Sequence, residues 1–322
     1  MKVLITGING QDSSYLAEYL LELGHDVYGT IRRHSDTLGQ QGRIESIRDR
    51  MHVHYADLTD ASSLENIMAE VMPDYIFNIG AQSHVRISFD IPVYTADTNA
   101  LGALRMLDAY RRICPKAKYY QASSSEMFGL SVDSDNYQRE STPMNPTSPY
   151  GVAKVFAYNM TRHYRRAYGL HACNGILFNH ESIRRSANFV TQKVVMEAVK
   201  IKFGLSDRLE LGNMDSHRDW GHSYDYVRAM WLIVNHLQPM DFVVATGEAH
   251  SVREMCEVVF SYLGLDYRDH VVQNPKFMRP EELPYLRGDS TKIRTILGWQ
   301  PTYTFEKMMV EMVEYWKGKM AE

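Results

Sequence analysis

Short apolar runs alternate with longer stretches of helical periodicity through the first half of the chain. Lys2-Val3-Leu4-Ile5 is a β-prone run that leads through a two-glycine turn into an amphipathic helix reaching Leu23. A second run spans Asp26 to Ile31, and Met51 to Leu58 reads as a third strand ending in an acid. Tyr75 to Asn78, Lys118 to Ala122 and His171 to Leu177 repeat the strand pattern, while Asp60 to Val71, Asn99 to Ile113 and Tyr150 to Tyr168 carry apolar residues at helical spacing. Strands and helices in this alternation predict an α/β fold, a doubly wound parallel sheet. Past Leu177 the regularity breaks. Asn188 to Phe203 and Ser251 to Leu263 read as helices, Tyr224 to His236 as a strongly amphipathic one, and Phe242 to Ala245 as a strand. Asn274 to Gly288 carries three prolines and mixed charges, the composition of a binding loop, before two closing helices.

Composition narrows the function. With 322 residues, 44% apolar and 23% charged, the chain can bury a large core and is long for one compact domain. A net charge of −4 gives no electrostatic case for nucleic acid or an anionic membrane as partner. No apolar stretch approaches a membrane span and Met1-Lys2 enters a strand directly, so a cytoplasmic location is expected. Cys114, Cys173 and Cys256 are odd in number and widely separated, which argues against a disulfide framework and against a CxxC metal site. The histidines form no HExxH, and His217 and His222 are off the helical ligand spacing, so no metal is expected.

The turn after the first strand reads Gly7-Ile8-Asn9-Gly10-Gln11-Asp12-Ser13. A strand, such a turn and a helix together present backbone N–H groups and a positive helix end to a pyrophosphate. Ser13 stands where the extended fingerprint has a third glycine; serine is small enough to fit. At the end of the second strand, where an NAD site would place a carboxylate, the chain offers Arg32 and Arg33, which suit the 2′-phosphate of NADP or form a basic surface loop. Asp57 is placed to meet an adenine or, equally, to cap the helix starting near Ala61.

Tyr150 and Lys154 lie four residues apart on one helical face, so the ammonium can lower the phenol pKa and make a usable base. The Ser124 hydroxyl can share the same substrate proton. This much supports alcohol oxidation. Glu126, two residues past the serine, is a second acid/base suited to moving a carbon-bound proton and a leaving hydroxyl, so elimination is the favoured chemistry. Taken singly, these residues read as helix-surface side chains and a solvated loop charge; their order behind the glycine turn reverses those odds.

The chain resembles the extended short-chain dehydrogenase/reductase superfamily, Rossmann-like in fold, and within it the GDP-mannose 4,6-dehydratase family over essentially its whole length. The carrying segments are Ile5 to Asp12, Gly80-Ala81-Gln82-Ser83-His84-Val85, Gln121 to Glu126, Ser148 to Lys154, Gly175-Ile176-Leu177-Phe178-Asn179-His180-Glu181-Ser182, Asn188 to Thr191, Arg218-Asp219-Trp220-Gly221-His222 and Ala245 to Glu248. Three departures stand out: Ser13, Ser124 where the family has threonine, and a shorter region from Asp269 to Leu286, which bears on sugar preference. The resemblance implies NADP held by Gly7, Gly10, Gln11, Asp12, Arg32, Arg33, Asp57, Leu58, Gly80, Tyr150, Lys154, His180 and Arg185. It implies a GDP-mannose site with Ser83 and His84 on its floor and Asn179, Lys193, Arg218, Arg279 and Glu282 around the diphosphate and ribose. It further implies Ser124, Glu126, Tyr150 and Lys154 as catalytic residues, residues 1–178 with about 214–247 as the NADP-binding domain, and about 179–213 with 248–322 as a smaller α/β GDP-sugar-binding domain. A homo-oligomer, tetramer or dimer, is implied too, with His34 to Arg43 reaching a neighbour's cofactor site. Three alternatives stay open: a sugar-nucleotide epimerase or 4-reductase, which has no need of Glu126; a GDP-manno-heptose dehydratase; and a non-catalytic dinucleotide-binding protein.

Overall fold

A computed structural model describes residues 1–33, 42–278 and 280–321. Seven parallel strands form the central sheet: β1 (Lys2–Ile5), β2 (Asp26–Ile31), β3 (His52–Tyr55), β4 (Tyr75–Asn78), β5 (Lys118–Ser124), β6 (Ala172–Leu177) and β11 (Phe242–Val244), in the order β11-β6-β5-β4-β1-β2-β3. The four central residues of β4 and all of β6 are buried, as expected for strands covered on both faces. On one face α1 (Gln11–Glu22) and α8 (Ser223–Asn235) pack Leu16, Leu20, Met230 and Ile233 onto the sheet. On the other, α2 (Ala61–Val71), α5 (Gly102–Ile113) and α6 (Pro149–Tyr168) cover it with Leu64, Met106, Tyr110 and Tyr164. The strand order reverses between β1 and β4, and ligand crevices in such sheets open beyond the carboxyl ends of the strands at that point.

Local chemistry explains the helix ends. Asp60, not Asp57, caps α2 by accepting from the Ser62 N–H, so the capping alternative for Asp57 is corrected; its carboxylate instead turns back to Thr59. Ser148 caps α6 with Pro149 in the first turn, and Gly169 ends it in the left-handed region. The helix expected from Asn99 starts earlier. Short α3 (Val85–Ser88) and α4 (Pro92–Ala96) precede it, and a π-turn over Asp97–Leu101 joins α4 to α5. Arg105 bonds the carbonyl and carboxylate of Asp97 in that turn, and Gly102 lets the helix close on Leu58, where a Cβ would come within 2.8 Å.

The remaining elements are β7 (Asn179–Glu181), α7 (Val190–Lys202), β8 (Leu209–Leu211), β9 (His217–Arg218), β10 (Trp220–His222), β12 (His250–Ser251), α9 (Val252–Tyr262), β13 (Val271–Gln273), α10 (Thr291–Leu297) and α11 (Phe305–Ala321). Three two-stranded sheets pair β10 with β7, β12 with β9 and β13 with β8. Helices α7, α9 and α11 enclose an apolar cluster of their own around Val195, Phe260 and Met309. No described helix is long and apolar enough to cross a membrane.

Asp219, fully buried between β9 and β10, ties this part to the sheet edge. Its carboxylate accepts from the Thr246 N–H and hydroxyl at 2.8 and 2.7 Å, the Gly247 N–H at 2.9 Å and the Gly288 N–H at 3.3 Å. Asp219→Ala would leave three backbone donors without their acceptor, one of them buried and two partly buried. The expected cost is at least about 3 kcal/mol, since each such group costs about 1–3 kcal/mol. Urea unfolding checks it, and an unchanged midpoint would remove Asp219 from this role.

Candidate active site

Two cavities meet at the carboxyl ends of the strands. The first, of about 680 Å³, runs along the glycine turn and is lined by Gly7, Gly10, Gln11, Asp12, Arg32, Asp57, Leu58 and Gly80. The second, of about 660 Å³, holds Ser124, Glu126, Tyr150, Lys154, His84, Asn179, His180 and Lys193. Asp12, Ser83 and Arg185 belong to both walls.

The first cavity is a backbone cradle. Gly7 has φ +65°, and a Cβ there would meet the Gly80 Cα at 2.9 Å, so the β1 and β4 turns touch without side chains. Thr6 fixes this approach by accepting from the N–H groups of Ile79 and Gly80. Helix α1 has no side-chain cap, which leaves its first N–H groups facing the cavity region. Ser13 is buried and its hydroxyl reaches the Thr6 carbonyl at 3.4 Å, so the serine in the third-glycine position is accommodated. The tight crossing lies at Gly7 and Gly80. These features fit a dinucleotide.

The second cavity carries the reactive side chains. Helix α6 docks against the turn after β5 because Gly151 has no side chain; a Cβ there would lie 2.8 Å from the Glu126 carbonyl oxygen. This docking sets Tyr150 beside Ser124, whose hydroxyl works to lower the phenol's pKa. Lys154 donates to the Ala122 carbonyl at 2.8 Å, and its ammonium lies 5.7 Å from the Tyr150 ring centroid. The expectation that Lys154 makes Tyr150 more acidic is corrected for the chain by itself. Burial pushes the phenol up to about 12 against the lowering effect of Ser124, and burial brings Lys154 down to about 8. The same desolvation disfavours the charged form of each, raising the phenol and lowering the ammonium.

At the junction of the cavities, His180 Nε2 meets the Asp12 carboxylate at 2.8 Å while Nδ1 faces the Phe178 carbonyl at 2.7 Å and the ring stacks on Tyr226. Burial works against the charge on both partners, yet the mutual attraction prevails: Asp12 lies below, and His180 above, its ordinary value. Arg185 pairs with buried Glu181 at 3.0 Å and lies over the Phe189 ring. His84 caps α3, its Nδ1 accepting from the Ile87 N–H, which leaves Nε2 as the donor to the Asn188 carbonyl at 3.3 Å.

Several expected residues lie elsewhere. Arg33 is exposed and does not line the cofactor cavity, whereas Arg32 does, beside the Tyr94 hydroxyl. Arg218 and Glu282 line neither cavity; Arg218 is buried, donates to the His217 carbonyl, and has Glu282 at 3.7 Å. Arg279 and the loop His34 to Gln41 lie outside the described residues. Sequence reasoning missed Glu197, Lys276 and Phe277 on the second cavity and Tyr94 on the first. It named Arg43 only as part of an intersubunit loop, yet its guanidinium bonds the Asn9 and Arg184 carbonyls and lines the first cavity of its own chain. Arg43 precedes a short helical turn, Glu45–Arg50, rather than ending a strand, and this hid the connection. Among the described residues no three His, Cys, Asp or Glu side chains converge as a metal site.

The His180 shift makes a sign-definite prediction. Its pairing contributes stability fully below pH 6.5, and that contribution is lost as pH rises through the raised folded-state value. Asp12, with its lowered value, loses its share only as pH falls below its ordinary 3.8. Asp12→Asn removes the counter-charge but not the burial, so the imidazole should then titrate below 6.5. An NMR titration of the His180 ring decides it; a midpoint unmoved by the substitution would refute the coupling.

Comparison with known proteins fits this geometry. The family model described as GDP-mannose 4,6 dehydratase matches residues 4–312. The chain is 49% identical to GDP-mannose 4,6 dehydratase 1 of Arabidopsis thaliana over 97% of its own length and 88% of that protein's. With the human GDP-mannose 4,6 dehydratase it shares 47% identity over 96% of the chain and 90% of the relative. The structure of Thermus thermophilus UDP-glucose 4-epimerase in complex with NAD superposes with a TM-score of 0.86 at 25% identity, covering 99% of each chain. A match over nearly the whole chain, at close to half identity, establishes that this chain belongs to the GDP-mannose 4,6-dehydratase family.

Proposed function

We propose that the chain converts GDP-mannose to GDP-4-keto-6-deoxymannose, with NADP as its cofactor. The observation that carries this reading is the meeting of Ser124, Glu126, Tyr150 and Lys154 on one wall of the second cavity, against the junction with the first. In this reading the glycine turn, Gln11, Asp12, Arg32, Asp57, Leu58, Gly80, His180 and Arg185 hold the dinucleotide, and Arg32 with Arg43 faces the 2′-phosphate. Bound there, the cofactor would supply a reversible hydride acceptor for the oxidation at C4 and the reduction at C6, and a positive charge that would favour the Tyr150 phenolate.

The chain's own side chains move the protons. Tyr150, sharing a hydrogen bond with Ser124, accepts the proton of the C4 hydroxyl. The resulting 4-ketone acidifies C5–H, and Glu126 removes that proton. Protonated Glu126 then gives its proton to the departing C6 hydroxyl, so water leaves and a 4-keto-5,6-ene remains. Glu126, reprotonated from solvent, supplies the proton at C5. Lys154 positions the nicotinamide ribose, and Asn179 and Lys193 lie toward the diphosphate side of the same cavity.

We assign residues 1–178 with about 214–247 to cofactor binding and about 179–213 with 248–322 to the GDP-sugar; the separate apolar cluster of α7, α9 and α11 supports this division. A homo-oligomer, dimer or tetramer, accords with exposed Val93, Val152 and Phe156. A cytoplasmic location suits nucleotide-sugar metabolism.

Deuterium at C4 of GDP-mannose should reappear at C6, and solvent deuterium should enter at C5, with no lasting NADPH absorbance. Glu126→Gln should retain cofactor binding and fold while losing release of water by at least about a hundredfold, the lower range for a positioned acid/base. Mass analysis reads both outcomes. Accumulating NADPH, C4 label lost to solvent, or full turnover by the variant would each overturn the elimination mechanism.

Cofactor choice is tested separately. Arg32→Ala should weaken NADP relative to NAD by about 1.5–3 kcal/mol, the value of a hydrogen bond to a charged group. Arg33→Ala should change the ratio far less. Titration of both dinucleotides compares them, and equal weakening by Arg32→Ala would exclude it as the phosphate contact.

A further inference from the structure

The second cavity continues well beyond the reactive residues, to a far end formed by α7, the end of β8 and the segment after β13. There Lys193 and Glu197, one helical turn apart on α7, share the wall with Met196, Gly212, Lys276 and Phe277. Lys193 donates to the Glu210 carbonyl at 2.5 Å and its ammonium lies 3.7 Å from the Phe277 ring centroid. The Phe277 carbonyl rests on Gly212, where a Cβ would come within 2.6 Å, so this segment closes onto the end of β8. Glu197 is largely buried and Lys200 holds one of its oxygens at 2.7 Å on the next turn of α7.

A nucleotide sugar has its sugar and its base at opposite ends. With sugar C4 at Tyr150, the base falls at this far end. A carboxylate suits one base above the others: guanine offers N1–H and the 2-amino group side by side, two parallel donors for two oxygens. Adenine would turn the lone pair of N1 toward the carboxylate, and uracil has a single N–H between two carbonyls. Building on the proposed GDP-sugar reaction, we infer that Glu197 determines base specificity by accepting from the guanine Watson–Crick edge. Phe277 and Met196 form the apolar walls of that slot, and Lys193 borders it on the diphosphate side. Lys200 anchors the carboxylate from outside.

Calorimetric titration of the full-length protein with GDP, IDP, ADP and UDP tests the assignment. IDP lacks only the 2-amino group. Wild type should favour GDP over IDP by at least about tenfold, the lower range for a hydrogen bond to a charged acceptor. Glu197→Ala should bring the two within about twofold, with IDP binding showing that the cavity is intact; Lys200→Ala should keep most of the preference. A GDP-to-IDP ratio unchanged in Glu197→Ala, or a wild type that does not distinguish them, overturns the role of Glu197 while GDP binding leaves the reaction standing. A wild type that prefers ADP or UDP, or binds none of the four, fails the GDP-sugar reading itself.

Discussion

The active site depends on one close contact between two pieces of backbone. Helix α6 carries Tyr150 and Lys154, the turn after β5 carries Ser124 and Glu126, and the two meet where Gly151 rests on the Glu126 carbonyl. Any side chain at 151 would have to displace main chain or Pro146, the least yielding kind of neighbour. Because the contact is backbone to backbone, the spacing between phenol and carboxylate is set by secondary structure and not by long flexible side chains. Catalytic groups on rigid elements keep their geometry through a reaction cycle. A buried polar chain reinforces the arrangement from below: Thr6 to Asn78, Asn78 to Gln121, and Lys154 to the Ala122 carbonyl, joining β1, β4, β5 and α6.

Electrostatics follow from that burial. The site contains more ionisable groups than an apolar interior tolerates, and it manages them in two ways. Asp12 with His180, and Glu181 with Arg185, are kept as close pairs on the shared wall. Tyr150 and Lys154 have no such compensation and shift toward their neutral forms, to about 12 and about 8. A phenol held protonated in the chain alone is a weak base, so its activation belongs to the assembled site and not to the helix by itself. The YxxxK spacing in the sequence therefore reports position, while burial dominates the phenol's acidity in the chain alone.

What was legible in the sequence follows the strength of local rules. Strands β1 to β6 and the long helices carry their own periodicity, and the Gly7 turn and Tyr150-Gly151 pair carry the steric reasons for their places. The capping of α2 was ambiguous because Asp57 and Asp60 both precede it, and only the coordinates show Asp60 reaching Ser62. The π-turn before α5 was hidden because its cause is tertiary: Arg105 and Leu58 meet the Asp97 segment from outside. The family resemblance places Arg218 around the diphosphate and ribose, whereas an arginine on this two-residue strand has a carbonyl and a carboxylate within reach before any ligand. The residues that line the far end of the second cavity come from α7, the end of β8 and the segment after β13, so no single sequence spacing joins them all.

The same sheet and helices superpose on a UDP-glucose 4-epimerase at 25% identity, so the architecture does not choose the reaction. Oxidation of a ring hydroxyl needs a base and a hydrogen-bonding partner, which Tyr150 and Ser124 provide. Loss of water needs a further group that can take a proton from carbon and give one to oxygen, the role proposed for Glu126. Glu126 is buried, on the first turn after the strand that ends in Ser124, so it shares that strand's fixed geometry. In the proposed reaction, one acid/base position at the end of a buried strand is what turns a common oxidation toward elimination, while the rest of the fold has to hold the sugar still between its steps.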